Sequence, residues 1–156
     1  MSNTRTVIAG VAGGLAINVA MLLTFRLLGF GWNGAGILLD PSIQSPKLIA
    51  IWTQIEPLPL VVSNPGPIVG GLMLFGLIHG FMYRWLSPAW PIGITARALR
   101  FAVLIFILAY IFWEFFTPFN QFGEPVRLLL LELGFWITIA LAEAFAIAFV
   151  MEWRRE

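Results

Sequence analysis

Four stretches of the sequence, about 7–28, 67–86, 96–116 and 126–151, are each long and apolar enough to cross a lipid bilayer as a helix. The hydrocarbon core of a membrane takes roughly 17 to 25 mostly apolar residues per helical span. The expected fold is therefore an all-α integral membrane protein. A single membrane domain over residues 1–156 forms a four-transmembrane-helix bundle, with one short amphipathic interfacial helix in the first outer loop. Composition agrees: 60% of residues are hydrophobic and 11% charged, against roughly 25% charged in soluble domains. The first run follows Arg5 and continues through Leu28, broken only by Asn18, Thr24 and Arg26. A secretory signal has an apolar region of about 7 to 15 residues, so this run is expected to be a retained helix.

The loop between the first two spans carries its own helix signal. Ser45 is placed as an N-cap and Pro46 at the first helical position. Leu48, Ile51, Trp52 and Ile55 recur at helical spacing before Pro57. The resulting segment, about 46–56, is too short to span and is expected on the outer interface with Trp52 among the headgroups. There it either caps the bundle or acts as a lid or docking surface.

Basic residues orient the chain. Arg5, Arg84, Arg97, Arg100, Arg154 and Arg155 fall on one side; Lys47 and Arg127 fall on the other, with Arg26 at its edge. Both termini are expected in the cytoplasm, in a multi-pass protein of a plasma or inner membrane. Tyr83, Trp85, Trp90 and Trp153 would mark the inner interface, and Trp32 and Trp52 the outer one. Small residues recur at helical spacing: Gly10 and Gly14; Gly66, Gly70, Gly76 and Gly80; Ala140, Ala144 and Ala148. Such stripes let helix backbones approach closely in lipid.

Ionisable groups inside the spans are costly and face the bundle interior. Glu132 sits about 10 Å into the last span, and Glu143, eleven residues on, lies roughly 16 Å deeper and about 20° away around the axis, on the same face. Depth counting places Arg26, Glu114 and Glu132 in an outer layer, with Asn120, Glu124 and Arg127 above them as an entrance in the turn-forming segment FTPFNQFGEPVR. His79 and Glu143 form an inner layer, and Asn18 lies near mid-depth as an interhelical hydrogen bond or a bridge between layers. Each layer is either a structural ion-pair network or a path for protons or cations.

Other chemistries are excluded by what is missing. The chain has no cysteine and one histidine, which removes disulfides, thiolate metal sites and two-histidine haem ligation. A net charge of +1 gives no case for nucleic acid. No phosphate loop, HExxH, GxSxG or kinase motif occurs. No catalytic residue, cofactor or metal is assigned: the glutamates and the histidine that could hold a divalent ion fall in different layers. The partners expected are the lipid bilayer and either a second copy of the chain or a larger membrane complex. Three functions are consistent with this chemistry. They are a non-catalytic accessory, assembly or interaction subunit; an oligomeric proton- or cation-coupled transporter or channel; and a membrane-embedded enzyme acting on a lipid-like substrate.

Overall fold

The computed structural model describes residues 2–153, all-helical with no strand among them. Arg154 and Arg155, used above for orientation, lie outside the described residues. Six helices organise the chain: α1 (Asn3–Gly29), α2 (Pro46–Thr53), α3 (Leu60–Ser63), α4 (Gly66–Ala89), α5 (Ile94–Phe122) and α6 (Val126–Glu152). Of these, α1, α4, α5 and α6 are long and apolar enough to cross a membrane. Each begins at its apolar run or up to four residues before it, where capping and turn residues extend it. The Ser2 hydroxyl, for example, accepts from the Arg5 amide and starts α1.

Packing runs in the order α4–α1–α6–α5, with α1 and α6 in the middle. Glycines set the α1–α4 distance. A Cβ on Gly76 would fall 2.2 Å from the Gly14 nitrogen, and one on Gly80 would fall 2.9 Å from the Gly10 Cα. Only hydrogens fit between these backbones. Gly70 and Gly71, in the first half of α4, face open space instead. On α6, Ala140, Ala144 and Ala148 are buried in the central contact, alongside Ile139 and Ile147.

Two segments differ from their expected form. The short helix stops at Thr53, before the expected 56, because the residue preceding Pro57 is disfavoured in helical conformation. Its N-cap is as read: the Ser45 hydroxyl accepts from the Leu48 amide at 3.2 Å. The helix is tied to the far end of α5, with Ser45 Oγ donating to the Phe122 carbonyl at 2.8 Å and Lys47 Nζ to that of Gln121. Trp52 packs on Phe30, ring centroids 4.5 Å apart.

The second difference is the segment FTPFNQF, expected as a turn. It continues α5 to Phe122, through wider π-type turns at Phe106–Ile111 and Phe115–Phe119. The wider turn accommodates Pro118, whose ring would clash with the carbonyl four residues back in a regular helix. The chain reverses at Gly123, whose φ of +66° is left-handed backbone that glycine adopts without steric cost.

Candidate functional site

The buried acidic groups fall at three levels along α6, contributed by Glu152, Glu143 and Glu132. At the end of the bundle that holds the described termini, Glu152 Oε1 lies 2.8 Å from Arg97 Nη1 of α5 and accepts a 3.3 Å hydrogen bond from the Tyr83 hydroxyl of α4. The Arg97 Nε donates to the Pro91 carbonyl at 3.2 Å. The pair is not apparent from the sequence, because Glu152 lies just beyond the last apolar run and Arg97 counts there only among the basic residues that orient the chain. The available signal was their common end on two antiparallel neighbours.

Glu143 lies at mid-helix. Its Oε1 is 2.7 Å from Nδ1 of His79, joining α6 to α4 as the depth argument places them. Phe75 packs on the imidazole with centroids 4.1 Å apart, and Phe101 meets it edge-on at 5.9 Å. The second oxygen of Glu143 has no hydrogen-bond partner among the described residues. About two turns above, an aromatic layer fills the bundle. Tyr110 stacks on Trp136 at 4.4 Å, Phe25 sits 4.8 Å from the same indole, and Phe135 closes on Phe25 at 5.2 Å.

Above that layer three glutamates converge: Glu114 from α5, Glu124 from the α5–α6 turn and Glu132 from α6. All are buried, and each offers an oxygen within 4.8 Å of the others. The indole N–H of Trp136 donates to Glu114 Oε1. Gln44 donates to Glu124 Oε1 at 2.8 Å and to the Leu38 carbonyl at 3.2 Å, while its own oxygen accepts from the Ser45 amide at 2.7 Å. Burial pushes the Glu124 carboxyl above the usual carboxylate range, against the lowering effect of the Gln44 bond. Among the described residues no lysine or arginine lies at salt-bridge distance from any of the three; the ion pairs found are His79–Glu143 and Arg97–Glu152.

The structure thus brings Glu114 and Glu132 together, and His79 and Glu143, but not Arg26 with the carboxylates. Arg26 is exposed, donates to the Trp32 carbonyl at 3.2 Å and stands over the Trp32 ring. The cause is the end of α1, which turns π-type over Leu22–Gly29 and buries Thr24 and Phe25 instead. Asn18 joins neither layer: its amide donates to the Gly14 carbonyl at 2.8 Å and to that of Val69 on α4 at 3.5 Å. Of the three residues read as an entrance, Asn120 and Arg127 are exposed, with Arg127 donating to the Ile43 carbonyl at 3.5 Å. Glu124, the third, is buried in the carboxylate cluster. Gln44 is a further residue that the sequence does not point to, because its loop position carries no periodic signal.

Fold and site together define an all-helical chain with four membrane-length helices and acidic groups buried between them. Comparison with protein-family models, curated proteins and solved structures gives no match.

Proposed function

We propose that the protein is a four-span integral membrane protein with both termini in the cytoplasm, acting as a non-catalytic accessory or assembly subunit of a membrane complex. The reading rests on the first half of α4. Its opening residues 66–71 are exposed apart from half-buried Ile68, and its glycines Gly70 and Gly71 meet nothing within 4 Å, whereas Gly76 and Gly80 on the same helix are closed against α1. An open small-residue stripe beside a used one suits a helix from another chain. Arg5, Arg84, Arg97 and Arg100 at the terminal end support the orientation, and α2 would then lie at the outer interface.

Proton or cation transport is the second reading, favoured by the buried carboxyls at three depths of α6. The Tyr110–Trp136–Phe25 layer between the upper two levels weighs against a continuous polar path. Native-gel or light-scattering mass in a mild detergent separates the readings. The accessory reading expects an assembly larger than one chain that Gly70→Leu with Gly71→Leu disperses. A monodisperse single chain, together with proteoliposome flux abolished by Glu143→Gln, would establish the transport reading in its place.

A further inference from the structure

The terminal and middle levels of buried charge each have a partner: Arg97 for Glu152, and His79 for Glu143. The cluster at the α2 end contains only acids. Its geometry does not depend on whether the chain is a subunit or a carrier. Two like charges 4.8 Å apart repel by about 3 to 4 kcal/mol at an effective dielectric of about 20, so three ionised carboxylates do not sit there uncompensated. A second observation points to what compensates them. Glu114 and Glu124 each commit one oxygen to a protein donor, Trp136 or Gln44. Their remaining oxygens, in residues 0% and 2% exposed, receive no hydrogen bond from any described residue outside the acidic cluster. Buried acceptors left in that condition cost about 1–3 kcal/mol each, more when charged.

We propose that Glu114, Glu124 and Glu132 form a binding site for a divalent cation of calcium's size. All three donors are carboxylate oxygens, the hard ligands that select Ca2+, Mg2+ or Mn2+ over zinc and copper. Two ligand oxygens on opposite sides of an ion lie at most twice the metal–oxygen distance apart, about 4.6–5.2 Å for Ca2+ and about 4.0–4.2 Å for Mg2+. The oxygens here all lie within 4.8 Å of one another, inside the span that an ion of calcium's size bridges. Three carboxylates exceed a divalent charge by one, and the N–H groups of Trp136 and Gln44, both aimed at the cluster, stabilise that excess. The ion would join α5, the α5–α6 turn, α6 and, through Gln44, the segment leading into α2.

Trp136 supplies the assay. An indole bonded to one of the ligands sensitises Tb3+ held in the site, so the full-length protein in detergent, stripped with a chelator, is expected to give tryptophan-excited terbium luminescence that Ca2+ displaces. Millimolar Ca2+ is expected to raise the unfolding temperature, and Mg2+ to do so less. Glu132→Gln and Glu114→Gln should each lose both effects, with binding weakened by more than the roughly 10–100-fold that removal of an outer partner costs. Trp136→Phe should lose most of the luminescence but keep the Ca2+ shift, which serves where a glutamate variant fails to fold. Asp40→Asn with Glu56→Gln, at acids away from the cluster, should change neither. Absence of Ca2+-displaceable terbium signal and of any Ca2+ shift in the wild type would overturn the site, as would full retention of both in Glu132→Gln.

Discussion

His79 and Glu143 each depend on the other, and their substitutions should differ in kind. His79→Leu leaves a carboxyl group buried within α6 with its hydrogen-bonding partner gone. Breaking a buried pair from one side costs about 3–5 kcal/mol. Glu143→Gln retains an oxygen facing the imidazole and should cost no more than about 1–2 kcal/mol, the scale of one altered hydrogen bond. Unfolding followed by circular dichroism in a fixed detergent orders the two; equal losses would mean that the pair is not what holds α4 to α6 at this level.

Glu124 makes a prediction about pH. Its carboxyl titrates above the ordinary range because it is buried, while Glu114 and Glu132 face it as further acids and Gln44 as a donor. A folded-state value above the unfolded one means that folding favours the protonated form. That stability is full below the unfolded value of about 4.3 and is lost as pH rises through the folded value. With chelator present, the protein should therefore lose thermal stability on passing from acid to mildly alkaline buffer. Glu124→Gln, which is neutral throughout, should flatten that slope; an unchanged slope in the variant would assign it to other groups.

At the scale of elements, close approach between α1 and α4 is written in glycine, and the same helix contains its own control. A methyl group at Gly76 meets the α1 backbone at Gly14, which no side-chain rotation relieves. Gly76→Ala should cost about 1–3 kcal/mol, as overpacking generally does, or separate the two helices. Gly71→Ala meets open space and should be neutral or stabilising by up to about 1 kcal/mol through helix propensity. Equal effects at the two positions, measured by thermal unfolding, would contradict the packing order α4–α1–α6.

What could be read before the structure follows the same division. Long apolar runs gave the four helices, since length and hydrophobicity act within one segment. The His79–Glu143 contact was also readable, because a depth count holds wherever the rise per residue is regular. Both misplacements came where it is not. Counting at 100° per residue fails through the π-type turns at the ends of α1 and α5. Those turns put Arg26 on the surface and carry α5 on to Phe122, so that Glu124 folds back onto Glu114 and Glu132. Gln44 comes from a loop without periodicity, and no pattern in the chain ties it to a residue eighty positions later.

For the whole molecule, the central question is which end faces the cytoplasm. The described ends of the chain lie together: Arg5 Nε donates to the Val150 carbonyl at 2.7 Å, and Arg84 reaches Asn3. Arg97 and Arg100 begin α5 at the same end, while Lys47 and Arg127 lie at the other. Arg97 is buried against Glu152, so among the described residues of that end Arg5, Arg84 and Arg100 are the basic groups that are not buried. The orientation rule counts basic residues near span ends whether or not they are paired later, because it acts during insertion. In the orientation proposed above, the terminal end faces the cytoplasm and the three-glutamate cluster faces outward. The chain has no cysteine, so single cysteines report without background. Ser42→Cys, in the exposed turn before α2, should react with a membrane-impermeant maleimide on intact cells. Ser2→Cys should react only after permeabilisation. The reverse pattern would invert the protein and turn the carboxylate cluster toward the cytoplasm, where resting calcium is scarce, so the same labelling decides whether that site is filled constantly or only on demand.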